Sequence, residues 1–112
     1  MPELPIEISV TETQALLDDP SSAVRLIDCR EQDEWDICHI KGAELIPLTR
    51  FVEEATARLH DPSQHLIVYC HHGMRSLRAT NWLRQKGFTA TQSMAGGIAA
   101  WSDQVDPEMP RY

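Results

Sequence analysis

Residues 66–76 of this chain read L-I-V-Y-C-H-H-G-M-R-S. A short apolar run of β type ends at Cys70, Arg75 follows after four intervening residues, and the chain then takes on helical spacing. Where a strand feeds a helix through a tight loop, the first N–H groups of the helix are unpaired and carry partial positive charge, so the loop holds anions. A cysteine placed there is drawn toward its thiolate, the reactive form. Cys70 is therefore the candidate nucleophile, with a pKa expected toward or below neutrality instead of about 8.5. The N–H groups of residues 71–76 would cradle the anion, and Gly73 allows the tight turn that aims them inward. Arg75 offers a planar fork of donors for an oxyanion. Ser76 is placed to cap the helix and to donate to the bound anion. His71, His72 and Met74 complete the loop and would tune its polarity and specificity. No compact His/Cys ligand spacing elsewhere supports a metal at the two histidines, and the chemistry needs no organic cofactor.

The charge distribution points to the same segment. The 112 residues carry 17 acidic and 10 basic side chains, a net −7, yet residues 62–102 hold no Asp or Glu and four basic residues, Arg75, Arg78, Arg84 and Lys86. An acid-free run around a cysteine loop predicts a locally positive surface that attracts small anions. The acidic balance overall argues against nucleic-acid binding. No apolar run approaches the length of a membrane span, and the first residues show no secretory leader pattern. Three cysteines, an odd number without a C-x-x-C pair, suit a reducing, cytoplasmic compartment and free thiols. Cys29 and Cys38 read as packing residues. His39 reads as a structural hydrogen-bonding residue. Asp28 and Arg30, just after a predicted strand, would either orient the active loop and line its rim or form a plain ion pair. Trp35, Trp82 and Trp101 read as core or pocket-wall residues.

The elements that must position these groups alternate between strand and helix. Strands are expected near Ile6–Ser9, Val24–Asp28, Ala43–Ile46, Leu66–Tyr69 and Phe88–Ser93. Helical spacing covers a segment opened by a Thr11/Gln14 capping box, a short acidic stretch Glu31–Ile37 with Trp35 and Ile37 as apolar anchors, Thr49–Leu59, and Ser76–Lys86 closed by Gly87. Gly96-Gly97 opens a last short segment ending at Trp101. The polar residues 103–112 read as a surface or mobile tail. Such alternation implies a parallel sheet covered on both faces, in which ligands bind beyond the carboxyl ends of the strands, and Cys70 falls at one of those ends. The length fits a single domain spanning 1–112.

Four blocks resemble the rhodanese family: L-I-D-C-R-E-Q-D-E-W at 26–35, H-I-K-G-A-E-L-I-P at 39–47, with Lys41 where the family usually has proline, the cysteine loop, and M-A-G-G-I-A-A-W at 94–101. The resemblance implies an α/β fold with a five-stranded, mostly parallel sheet flanked by helices on both faces. It also implies a sulfurtransferase working through a Cys70 persulfide, with thiosulfate or another small anionic sulfur donor and a thiol, cyanide or protein acceptor. Two other readings stand beside it. A cysteine phosphatase or arsenate reductase of the same fold goes with five residues between cysteine and arginine, whereas this loop has four. A non-catalytic interaction module of the family typically lacks the cysteine that this chain keeps.

Overall fold

The computed structural model describes residues 4–112. Five short strands, β1 (Glu7–Ile8), β2 (Arg25–Asp28), β3 (Glu44–Leu45), β4 (Leu66–Tyr69) and β5 (Thr91–Met94), form one sheet in the order β1-β5-β4-β2-β3. Every ladder in it is parallel. Five helices connect and flank the strands: α1 (Val10–Asp18), α2 (Gln32–Ile37), α3 (Phe51–Arg58), α4 (Met74–Gln85) and α5 (Gly97–Gln104), with a 3₁₀ turn at Leu48–Arg50 before α3.

Alternation along the strands divides the core in two. Ile27 of β2 and Leu66 and Val68 of β4 face one side and pack with Phe51 and Ala55 of α3 and Ala79 and Leu83 of α4. Leu26, Ile67, Tyr69 and Met94 face the other side and pack with Val10 ahead of Leu16 and Leu17 in α1, and with Ile98 and Trp101 of α5. The central strand β4 is buried on both faces, which is why its four residues are all apolar.

The expected elements are present, with four local differences. The cap of α1 is Ser9, whose Oγ accepts from the Glu12 N–H at 3.1 Å, so the cap lies two residues before the expected Thr11. β5 begins at Thr91, not Phe88, because a strand of polar residues is buried here with its polar groups satisfied. Thr91 Oγ1 donates to the Phe88 carbonyl at 2.8 Å, Gln92 Nε2 donates to the Pro5 carbonyl at 2.9 Å, and Ser93 Oγ lies 2.8 Å from Ser76 Oγ. α2 buries no side chain: Ile37 is exposed, and Trp35 stacks on His39 at 3.7 Å. The tail lies on the surface, with most of residues 103–112 exposed, but it is held in place. Met109 packs against the second core cluster, Cys38 Sγ donates to the Pro110 carbonyl at 3.3 Å, and Tyr112 reaches the loop that follows β4.

Candidate active site

The loops after β2, β4 and β5 meet at the carboxyl edge of the sheet, and Cys70 sits at the end of the central strand. Its Sγ accepts the Gly73 N–H at 3.0 Å and the Ser76 N–H at 3.4 Å, and the Ser76 hydroxyl lies 3.5 Å away. Two glycines make this ring possible. Gly73 caps α4 at φ +108°, a left-handed conformation that turns its N–H toward the sulfur. Gly97 opens α5 at φ +60°, so close that a Cβ there would meet the carbonyl oxygens of Cys70 and His71 at 2.5 Å each. That approach lets Ile98 N–H donate to the Cys70 carbonyl (2.9 Å) and Ala99 N–H to the His71 carbonyl (3.1 Å). The first turn of α5 thus draws the loop carbonyls away from the sulfur and leaves N–H groups facing it. Ser76 occupies the third helical position of α4, not the cap. Its hydroxyl donates to the Gly73 carbonyl at 3.1 Å, tying the turn to the helix it starts.

The surroundings of Cys70 hold its thiol far below the ordinary range, at about 4. The largest influence is the neighbouring Cys29 thiol, acting against burial, followed by the hydroxyl and N–H of Ser76 and the N–H of Gly73. The Cys70 thiol and burial together push Cys29 strongly upward, so of the two thiols Cys70 is the one favoured as a thiolate. Cys29 thus joins the loop N–H groups among the influences that lower Cys70. Cys29 does pack in the core, in the same buried cluster as Cys70.

Arg75 does not stand free above the loop. It pairs with Glu34 of α2 through two bonds of 2.6 and 2.9 Å, and Glu34 also accepts the Tyr112 hydroxyl at 2.7 Å. Arg75 holds the Glu34 carboxyl down at about 2. The acid-free run 62–102 is acid-free along the chain only, because α2 delivers a carboxylate across space to its central arginine. Asp28 and Arg30 do not line a rim either. They form a wholly buried pair at 2.6 Å, and Arg30 further donates to the Cys38 carbonyl at 2.6 Å and to the Tyr112 hydroxyl at 2.8 Å. This pair fastens the end of β2 to the turn after α2 and to the tail.

His71 is sandwiched between His72 and Tyr112, with ring centroids 4.0 Å from each. Burial, then the neighbouring His72, lowers the pKa of His71. Both histidines line a groove of about 200 Å³ that Ser102, Asp103, Pro110 and Tyr112 also wall. Met74 projects outward at 76 % exposure, away from the sulfur. Among the described residues no cluster of three His, Cys, Asp or Glu side chains could hold a metal ion.

A parallel five-stranded sheet with a cysteine loop at its central strand is the frame described by the rhodanese-like domain, whose family model matches residues 9–104. The chain belongs to the rhodanese-like domain family. It is 35 % identical over 111 residues to the rhodanese-like/PpiC domain-containing protein 12, chloroplastic, of Arabidopsis thaliana, covering 95 % of this chain but only 37 % of that relative. It is 31 % identical over 104 residues to the thiosulfate sulfurtransferase GlpE of Pseudoalteromonas translucida, covering 93 % of this chain and 95 % of GlpE. Its fold superposes on the human single-domain sulfurtransferase TSTD1 with a TM-score of 0.77 and 27 % identity, covering 90 % of this rhodanese chain and 98 % of the human one.

Sequence reasoning missed four participants in this rhodanese site. Cys29 and Glu34 lie some forty residues from the loop in the chain, Tyr112 lies in the polar tail, and Gly97 stands out in sequence as a helix start and part of the 94–101 block, not as a contact to the cysteine loop. The signal for Gly97 was the G-G pair, since two adjacent glycines opening a helix imply a close backbone approach. For Cys29 it was position, one residue past a strand that neighbours β4.

Proposed function

We propose that the chain is a sulfurtransferase that takes sulfane sulfur from thiosulfate or a persulfide donor, holds it as a Cys70 persulfide, and passes it to a thiol, cyanide or protein acceptor. The observation that carries this reading is the pair of backbone N–H groups, of Gly73 and Ser76, that Cys70 Sγ accepts, with the Ser76 hydroxyl beside them. It favours an anionic sulfur at rest.

The thiolate attacks the outer sulfur of the donor. The donor's S–S bond breaks, and with thiosulfate the electron pair leaves on sulfite. The new negative charge sits on the outer persulfide sulfur, which lies against N–H groups of residues 71–76, and their dipoles need no rearrangement to stabilise it. An acceptor nucleophile then attacks that outer sulfur and returns Cys70 to its thiolate. Arg75, fixed by Glu34, holds α2 against α4 at the mouth of the loop. His71 and His72 face the groove beside the loop, where a donor or acceptor would rest. At 1 % exposure, Cys70 suits a donor with a protruding terminal sulfur.

Two features favour sulfur over phosphoryl transfer. The four-residue spacing gives a small loop, and the Arg75 fork is spent on Glu34 instead of being aimed at a tetrahedral anion. The three free thiols suit a reducing compartment such as the cytoplasm, and no helix of the described residues is long and apolar enough to cross a membrane. The test is thiocyanate formation from thiosulfate and cyanide. The wild type turns over, and Cys70→Ser is inactive with an unchanged circular dichroism spectrum. Turnover by Cys70→Ser, or hydrolysis of an aryl phosphate in place of sulfur transfer, would overturn the reading.

A further inference from the structure

Three free cysteines are present, and only two of them share a face of the sheet. β2 and β4 are paired in parallel from Arg25↔Leu66 to Asp28↔Tyr69. The pairing continues one step further, because the Cys29 N–H donates to the Tyr69 carbonyl at 2.9 Å. Cys29 and Cys70 are therefore the next residues in register, on neighbouring strands roughly 5 Å apart. Their side chains enter the same core cluster. A Cα separation of this size lies inside the span that a disulfide bridges. Cys38 packs on the opposite face of the sheet and is engaged with the Pro110 carbonyl, so it is no alternative partner. Cys29 is fully buried, and the thiol that shares its cluster and its register is that of Cys70.

We propose that Cys29 is a resolving thiol: when no acceptor arrives, it attacks Cys70 Sγ of the persulfide, forms a Cys29–Cys70 disulfide and releases the outer sulfur as hydrosulfide. The inference rests on the persulfide reading above. The step balances without an external oxidant. The new bond joins Cys29 Sγ to Cys70 Sγ, and the bond between Cys70 Sγ and the outer sulfur breaks. The Cys29 sulfur is oxidised and the sulfane sulfur is reduced to sulfide. The proton of Cys29 passes to the departing sulfur, so one negative charge is present before and after. The outer sulfur would sit among the loop N–H groups of Gly73 and Ser76, beyond Cys70 Sγ from Cys29. Attack from the sheet side and departure into the loop are the two ends of one thiol–disulfide exchange. An external dithiol then reopens the bridge by attacking at Cys70, leaving Cys29 as the buried thiol it was. The protein thereby gains a second outcome, reductant-dependent sulfide release.

The experiment loads wild type and Cys29→Ser with thiosulfate, removes the donor by gel filtration, and follows intact mass and free sulfide without acceptor. Wild type should first gain about 32 Da and then fall to about 2 Da below the reduced chain, with one sulfide released per chain. Non-reducing trypsin digestion should join residues 26–30, which hold Cys29, to residues 59–75, which hold Cys70. Cys29→Ser should keep the added sulfur at least about tenfold longer. A persulfide that persists equally in both proteins, without the cross-linked peptide, overturns the resolving role and leaves the sulfurtransferase reading standing. If neither protein gains sulfur, both readings fall together. If Cys29→Ser does not fold, the wild-type peptide map decides alone: the 26–30/59–75 pair supports the proposal and its absence overturns it.

Discussion

Replacing Cys29 with alanine tests where the low pKa of Cys70 comes from. The Cys29 thiol is the largest of the influences that hold Cys70 at about 4, and alanine removes it while leaving the N–H bonds of Gly73 (3.0 Å) and Ser76 (3.4 Å) in place. A hydrogen bond to a charged group contributes about 1.5–3 kcal/mol. At 1.36 kcal/mol per unit this corresponds to a rise of about 1–2 units, to roughly 5–6. Cys29→Ser keeps a donor and should move Cys70 less than half as far. Near neutral pH all three proteins hold a thiolate and should turn over at similar rates in the first cycle. At pH 5 the difference opens: roughly nine-tenths of wild-type Cys70 is ionised, against roughly a tenth to a half in Cys29→Ala. The assay is the ultraviolet absorbance of the thiolate across the acid range, which needs no reagent to reach a buried sulfur. It is paired with the acid limb of the rate of sulfur transfer. A Cys29→Ala midpoint within about 0.3 units of wild type would refute the reasoning, because the loop donors alone would then suffice.

Four further outcomes follow from the same geometry. Gly97→Ala places a Cβ 2.5 Å from the Cys70 and His71 carbonyls at a residue with φ +60°, and should cost on the order of 3 kcal/mol in urea unfolding. Arg75→Lys loses the two-point bond to Glu34 and should lower turnover about 10-fold, read by steady-state thiocyanate formation. The folded-state pKa of Glu34 is depressed, so its contribution is full above its unfolded value of 4.5 and is lost as pH falls through about 2. Glu34→Gln should therefore flatten acid unfolding across that window by on the order of 1–2 kcal/mol, solvent screening allowed for. Tyr112→Phe keeps the stack on His71 but removes the hydroxyl from Arg30 and Glu34, and should lower stability by about 1–2 kcal/mol in thermal unfolding.

The parts of the fold carried by local pattern were legible in the chain. The sequence pattern places β4 at its observed bounds, because a strand buried on both faces is apolar throughout and L-I-V-Y is a four-residue run bounded by a turn and the cysteine loop. β5 was displaced because T-Q-S-M is polar, and its burial depends on hydrogen bonds to Phe88, Ser76 and Pro5 that no local pattern encodes. The same division runs through the site. Cys70, Gly73 and Ser76 are neighbours in the chain, and their spacing alone implied a loop around an anion. The nearness of Cys29 depends on which strands are adjacent and in what register. Glu34 cancels a positive patch that looked unopposed when charges were counted along the chain. Tyr112 sits in a polar, proline-containing segment that resembles a tail until Met109 and Pro110 anchor it.

The central claim is that sulfur is carried on Cys70, and the most direct measurement is the position of the first sulfur atom transferred. Thiosulfate labelled in its outer sulfur is mixed with the protein, quenched in acid within the first turnover, and digested with trypsin. The predicted result is one label per chain on residues 59–75, discharged as thiocyanate by cyanide and absent in Cys70→Ser. Label on residues 26–30 or 31–41, which hold Cys29 and Cys38, or thiocyanate formed with no labelled peptide at any time, would contradict it.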